Sequence, residues 1–99
     1  MKFEVFGKPA CAKCRSTKDK LTHLMSKAEP GESVALAFFD LDTVEGRAEG
    51  AFNDVFDALP AVILRAESGD VVARWDGVVP PSVEVQAFLT AAKGASTVL

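Results

Sequence analysis

The sequence is poor in the residues that bind metals or form structural disulfides. Its 99 residues include two cysteines, one histidine and no tyrosine. A structural zinc site usually takes four protein ligands, so we expect no metal site within one chain and interpret His23 as a surface residue. The two cysteines lie together in Cys11-Ala12-Lys13-Cys14. Such a close pair is typical of catalytic or metal-binding use rather than of a structural cross-link.

Long apolar runs are missing as well. No hydrophobic segment approaches the roughly 20 residues that are needed to span a bilayer. Residues 1–6 are too short and too charged a segment for a secretory signal. We therefore expect a cytoplasmic protein with no membrane partner, whose thiols are kept mainly reduced. The length suits one compact domain, residues 1–99, with a modest core.

Charge is unevenly distributed, although the net charge is only −3. Residues 1–27 carry seven basic and two acidic side chains, a net charge of +5, and the rest of the chain carries −8. The cysteine pair lies in the basic part, where positive charge lowers thiol pKa values. Because the chain as a whole is acidic, we expect no nucleic-acid partner.

The positions of the two cysteines predict different roles. They follow an alternating strand at residues 2–6 and open a helix whose apolar residues recur at spacings of three and four. Cys14 falls on the apolar face, whereas Cys11 lies in the first turn, where unpaired N–H groups and the helix dipole favour a thiolate. We therefore expect Cys11 to attack a disulfide and Cys14 to resolve the mixed disulfide. The flanking Lys8 and Lys13 are expected to lower the thiol pKa values further.

Hydrophobic periodicity and turn residues predict the remaining elements in the order β-α-β-α-β-β-α. The predictions are a loop at 29–32, a buried strand at 34–39, a helix ending at Leu59 before Pro60, strands at 61–64 and 71–75 around Ser68-Gly69-Asp70, and a last helix from Ser82 to Gly94. No linker or internal repeat divides the chain.

The second helix is expected to begin with a capping box formed by Asp42 and Glu45. Gly46 and Gly50 would make it locally soft, since each costs about 1 kcal/mol relative to alanine. It would pack through an apolar stripe of Val44, Ala48, Ala51, Phe52, Val55, Phe56 and Leu59.

Three segments carry a resemblance to a known family. Residues 5–14, which include Lys8 and both cysteines, are similar to the strand and active-site turn of glutaredoxins. Residues 39–42 resemble the acidic end of that family's second strand. Leu59-Pro60-Ala61 stands where the family has a cis-proline before its third strand. Over essentially all 99 residues the chain resembles the thioredoxin-fold superfamily, in particular its short glutaredoxin-like branch.

This resemblance implies an α/β thioredoxin fold in which a four-stranded mixed sheet is flanked by three helices. It implies a thiol–disulfide oxidoreductase that reduces protein disulfides with Cys11 and Cys14. Such a protein is expected to need no cofactor, to act as a monomer and to be reduced by a reductase or another dithiol donor. The resemblance also implies a cis Leu59–Pro60 bond, with the Leu59 backbone binding an extended segment of the protein substrate beside Pro60.

Two departures from the family pattern change these expectations. Thioredoxins have a buried acid six residues before the first cysteine, where this chain has Val5, and Glu4 is expected to face the other side of the strand. Glutaredoxins that bind glutathione do so partly through groups just before the last helix, where Pro80 and Pro81 have no backbone N–H to offer. We therefore do not expect glutathione to be the reductant.

The sequence leaves some alternatives open. The cysteine pair fits an oxidoreductase, and it also fits a redox-sensing binding module that controls partner docking with little turnover. Pro60 could be only a helix stop with a trans bond. Trp75 could contact a substrate, but a strand tryptophan is more often partly packed, and we expect packing.

Overall fold

The chain folds into four strands and three helices in the predicted order. The computed structural model describes residues 1–27 and 34–98, with side chains up to residue 90. The elements are β1 (Lys2–Gly7), α1 (Ala12–Ser26), β2 (Ala35–Asp40), α2 (Val44–Phe52), β3 (Ala61–Arg65), β4 (Val71–Asp76) and α3 (Ser82–Val98). The β-α-β-α-β-β-α prediction is confirmed, while the loop predicted at 29–32 lies outside the described residues.

The strands form one mixed sheet in the order β2-β1-β3-β4. β1 and β2 are parallel, with Gly7 beside Asp40 at their carboxyl ends. β3 is antiparallel to both β1 and β4, and its first residue, Ala61, pairs with Phe6. The turn that carries Cys11 and the segment that leads into β3 therefore meet at one edge of the sheet.

Core side chains cover both faces of the sheet. α1 and α3 pack on one face, where the buried cluster is Phe3, Val5, Leu21, Val62, Leu64, Trp75, Val85 and Leu89. α2 and the segment after it cover the other face, with the cluster Phe6, Leu41, Val55, Ala61 and Ile63. The division follows the alternation of side chains along a strand.

The C-terminal end of α2 differs from its prediction. The helix ends at Phe52, so the expected continuation to Leu59 was wrong. Asp54 adopts a left-handed conformation with φ of 56°, and the Val55 N–H donates to the Gly50 carbonyl at 2.7 Å. This is a Schellman-type helix end, and it terminates the helix well before Pro60.

The N-terminal end of α2 is also capped by a different residue. The N-cap is Thr43, whose hydroxyl accepts from the Gly46 N–H at 2.9 Å. The expected cap, Asp42, instead donates its own N–H to the Asp40 carboxylate at 2.8 Å. The capping-box prediction for Asp42 and Glu45 was therefore wrong by one position. The turn that follows Asp40 places Thr43 directly before the first helical residue.

α2 packs through its glycines rather than through the expected apolar stripe. Gly46 and Gly50 are buried, whereas Val44 and Phe52 are 70% and 89% exposed. A Cβ built on Gly46 would lie 1.8 Å from the Asp40 carbonyl oxygen. The absence of side chains lets the helix backbone lie directly on the end of β2. The stripe prediction was therefore wrong for the helix itself, although Val55, beyond the helix end, is buried as expected.

The C-terminal half otherwise follows its prediction with small shifts. Gly69 has a positive φ of 94° in the turn between β3 and β4, and β4 extends to Asp76. α3 continues through Gly94 to Val98, so the expected stop was wrong. One glycine costs a helix only about 1 kcal/mol, and the alanines on both sides of Gly94 favour helix.

Candidate active site

Cys11 is the N-cap of α1. It is half-buried, with extended backbone angles (φ −84°, ψ 110°), and its sulfur accepts from the Cys14 N–H at 3.1 Å. Its own N–H donates to the Lys8 carbonyl at 3.0 Å, which closes the turn before the helix. The Cys14 thiol, the N–H groups of Cys14 and Lys13, and the Lys13 ammonium together lower the pKa of Cys11 against the opposing effect of burial. The geometry favours a thiolate that solvent can reach.

Cys14 is in the opposite environment. Its side chain is fully buried and packs on Gly7, where a Cβ would lie 2.6 Å from its sulfur. Burial raises the pKa of Cys14, and its hydrogen bond to the Cys11 sulfur raises it further. The sequence analysis treated Gly7 only as the end of a strand. The packing of Gly7 against Cys14 could have been predicted from one feature of the sequence. Gly7 ends a strand and lies seven residues before a cysteine on the inward face of the next helix.

The two flanking lysines lie in different places. The Lys13 ammonium donates to the Gly77 carbonyl at 2.7 Å, which joins the first turn of α1 to the segment after β4. The Lys8 ammonium lies 3.9 Å from the Asp42 carboxylate, and only a backbone hydrogen bond of Lys8 acts on a thiol, lowering the pKa of Cys14. The electrostatic role expected for the Lys8 side chain therefore stays a prediction.

Leu59 and Pro60 lie at the same edge of the sheet as the thiols. The Leu59–Pro60 peptide bond is cis, as the resemblance implied. Pro60 is fully buried, and its carbonyl accepts from the Gly77 N–H at 2.9 Å. Within the described part of the chain, no hydrogen bond is formed by the backbone N–H or carbonyl of Leu59.

Among the described residues, no carboxylate acts on Cys14 in place of the thioredoxin acid. Val5, at that position, belongs to the core cluster on the α1 side of the sheet. Glu4 is buried, and its carboxylate forms an ion pair with the Arg65 guanidinium at 2.6 Å. Neither residue is among the groups that shift the pKa of Cys14.

The remaining candidate residues take ordinary positions. Trp75 is 8% exposed and lies edge-on to Phe88 with ring centroids 6.0 Å apart, as a packed residue would. His23 is on the surface of α1. Among the described residues, no three His, Cys, Asp or Glu side chains are grouped closely enough to hold a metal ion. The same part of the chain contains no helix with both the length and the apolar character that crossing a membrane requires.

Comparisons with known proteins find similar folds among solved structures. No protein-family model and no curated protein matches the sequence. Thioredoxin 1 from the thermophilic eubacterium Thermosipho africanus superposes with a TM-score of 0.75 at 18% identity, covering 97% of this chain and 99% of that chain. Thioredoxin-2, a component of the protein secretion machinery of the malaria parasite, gives 0.72 at 22% identity, covering 91% and 81%.

A third relative has the same architecture. Reduced desulfothioredoxin from Desulfovibrio vulgaris Hildenborough superposes with a TM-score of 0.65 at 20% identity, covering 91% of this chain and 79% of that chain. At such identities, likeness establishes the fold and not the activity. On its topology, its cis-proline and these superpositions, the chain is a thioredoxin-fold protein, with a Cys-x-x-Cys pair at the first turn of α1.

Proposed function

We propose that the protein is a thiol–disulfide oxidoreductase that reduces protein disulfides. The observation that carries this proposal is the contrast between the two thiols. Cys11 is reachable and has a lowered pKa, whereas Cys14 is buried and has a raised pKa. A nucleophile must be ionised and accessible, and a resolving thiol must stay protonated until the mixed disulfide has formed.

The proposed reaction transfers two electrons to the substrate. The Cys11 thiolate attacks one sulfur of the substrate disulfide, which forms a mixed disulfide and releases the other sulfur as a thiolate that takes up a proton. Cys14 then loses its proton and attacks the Cys11 sulfur. The Cys11–Cys14 disulfide forms, the second substrate thiol leaves, and both substrate cysteines are reduced.

Leu59 and Pro60 are the proposed substrate-binding residues. The unpaired N–H and carbonyl of Leu59 fit strand-like hydrogen bonds to an extended segment on either side of the substrate cysteine. We further propose that a reductase or another dithiol donor regenerates the dithiol, that the protein acts as a monomer, and that it works in a reducing compartment such as the cytoplasm.

Reduction of insulin disulfides with dithiothreitol as the electron source tests this activity. The wild type should accelerate insulin precipitation well above the rate with dithiothreitol alone. Cys11→Ser should abolish the acceleration, and reduced Cys14→Ser mixed with insulin without dithiothreitol should accumulate a mixed disulfide that mass spectrometry assigns to Cys11. A wild type that accelerates nothing, or a Cys11→Ser variant with full activity, would contradict the proposal.

One observation favours the second candidate, a redox-sensing module with little turnover. Cys14 must lose a proton before it can resolve the mixed disulfide, yet its pKa is raised and no carboxylate lies among the groups that act on it. Glu4 faces the other side of the sheet and is engaged by Arg65. A module of this kind would form and lose its disulfide stoichiometrically and would give almost no insulin turnover.

A further inference from the structure

Arg74 of β4 binds the C-terminal end of α2 from outside the helix. Its two terminal nitrogens donate to the carbonyl oxygens of Asn53 at 2.5 Å and Asp54 at 3.0 Å. Both carbonyls belong to the Schellman-type end of α2, where the left-handed Asp54 turns the chain away from the helix. A cation at this position also complements the negative end of the helix dipole.

The guanidinium is oriented by a second interaction on its own strand. The Arg74 Nε lies 3.1 and 2.9 Å from the two carboxylate oxygens of Asp76, and the Arg74 side chain is only 30% exposed. A planar guanidinium held by a carboxylate on one edge presents its remaining N–H groups in a fixed direction. Arg74 is therefore prepared to hold two carbonyls at once, each through its own terminal nitrogen.

The residue just after β4 holds the other end of the segment that follows α2. Residues 53–60 connect α2 to β3, and we call them the 53–60 loop. Arg74 binds the beginning of the loop, and the Gly77 N–H binds the Pro60 carbonyl at its end. Gly77 also lies against Ala58, whose Cβ would be 3.4 Å from a Cβ built on Gly77. β4 and the residue after it thus fix the loop at both ends.

Arg65 supports the loop from the neighbouring strand. Its guanidinium hydrogen-bonds the side-chain oxygen of Asn53 while its Nε binds Glu4 at 2.6 Å. Arg65 reaches only a side chain of the loop, whereas Arg74 reaches two backbone carbonyls. Of the two arginines, Arg74 is accordingly the one that constrains the path of the loop backbone.

We propose that Arg74 is a positioning residue for substrate binding: by holding the start of the 53–60 loop, it sets the place of the Leu59 backbone at the end of the sheet where Cys11 lies. This inference rests on the proposed oxidoreductase function, because it concerns the peptide that Leu59 would bind. It gives Arg74 no contact with the reacting sulfurs. Its loss should therefore impair the binding of protein substrates and leave the reactivity of Cys11 unchanged.

The test compares two Arg74 variants with a matched control. Arg74→Met removes the carbonyl bonds and keeps the aliphatic part of the side chain, and Arg74→Lys keeps the charge but loses the planar pair of terminal nitrogens and the Nε contact with Asp76. Thr43→Ala removes the N-cap at the other end of α2 and so controls for a general weakening of that helix. Each variant is assayed with insulin, with a small aromatic disulfide such as dithiobis(nitrobenzoate), and by iodoacetamide alkylation of Cys11.

Arg74→Met should lower kcat/KM for insulin about tenfold, mainly through KM, with Arg74→Lys intermediate. Reduction of the small disulfide and alkylation of Cys11 should change less than about twofold, since neither needs the Leu59 backbone. Thr43→Ala should leave all three rates near wild type. Equal losses with insulin and the small disulfide, or an Arg74→Met variant that matches Thr43→Ala on insulin, would overturn the inference.

Amide hydrogen exchange tests the positioning role of Arg74 independently of the proposed oxidoreductase activity. If the wild type reduces neither substrate, the oxidoreductase proposal fails, and the Gly77 amide still reports whether Arg74 positions the loop. Arg74→Met should then speed Gly77 exchange at least about fivefold, while Thr43→Ala should not. An unchanged Gly77 amide in Arg74→Met would refute the positioning role whatever the activity.

Discussion

Replacing Gly7 with alanine should disturb both thiols at once. A Cβ at this position would lie 2.6 Å from the sulfur and 2.7 Å from the Cβ of Cys14. Carbon atoms normally pack at about 3.5–4.0 Å, so Cys14 would have to move by about 1 Å. The Cys14 thiol is the largest of the influences that lower the pKa of Cys11, and its displacement should therefore raise that pKa toward the ordinary value.

Gly7→Ala should lower the stability of the protein because the space around Gly7 is already filled by Cys14. Forcing an extra methyl group into a packed core destabilises a protein by about 1–3 kcal/mol. Each kcal/mol corresponds to a fall of about 4–8 °C in Tm for a domain of this size. The matched control is Gly50→Ala, whose Cβ would meet the end of the flexible Leu41 side chain at 2.9 Å. There the gain of about 1 kcal/mol in helix propensity should offset most of the strain.

Thermal unfolding followed by circular dichroism, together with the pH dependence of Cys11 alkylation, measures both effects. Gly7→Ala should show a lower Tm and an alkylation inflection at higher pH than the wild type, whereas Gly50→Ala should change neither appreciably. The reasoning would be refuted by a Gly7→Ala variant whose Tm lies within about 2 °C of the wild type and whose inflection is unmoved. Such a result would mean that Cys14 does not pack on Gly7.

Three further predictions concern stability and the reductant. Asp54→Gly should stabilise the protein by up to about 1 kcal/mol, because φ is 56° there and glycine adopts this conformation without strain; a lower midpoint of urea unfolding than wild type would contradict this. Arg65→Met should destabilise the protein by about 2–3 kcal/mol by leaving the Glu4 carboxylate buried with only the Lys2 ammonium, 3.9 Å away. Lys2→Met removes the more exposed partner of Glu4 and should lower the stability by less than about 1 kcal/mol. Equal losses of stability for the two variants would argue against the ion pair between Glu4 and Arg65. Glutathione should reduce the oxidised protein poorly compared with a dithiol donor, since Pro80 and Pro81 offer no backbone N–H; fast, saturable reduction by glutathione would make the protein a functional glutaredoxin.

Local sequence patterns were sufficient for the first third of the chain. The strand, the turn and the amphipathic helix are all determined by neighbours a few residues apart, so the different environments of Cys11 and Cys14 could be predicted. The element order followed from hydrophobic periodicity and turn residues, and the cis Leu59–Pro60 bond followed from the family resemblance. The part of the site that was missed, Gly7, requires knowing that the inward face of α1 lies directly on the end of β1.

α2 could not be predicted correctly because its packing and its ends are determined by distant residues. The apolar stripe suggested a buried face, but Gly46 brings the helix backbone onto the Asp40 carbonyl, and no side chain fits between them. The helix ends at Phe52, and the carbonyl of its C-cap residue Asn53 is held by Arg74, which lies 21 residues further along the chain. Neither contact leaves a periodic pattern in the sequence.

The measurement that tests the central claim most directly is the rate of iodoacetamide alkylation against pH, with peptide mapping of the modified cysteine. The claim is that α1 and Cys14 make Cys11 the reactive thiolate. It predicts that Cys11 is modified first, with an inflection clearly below the value of about 8.5 for a free thiol, while Cys14 reacts only at higher pH. An inflection at or above that value, or faster modification of Cys14 than of Cys11, would contradict the account.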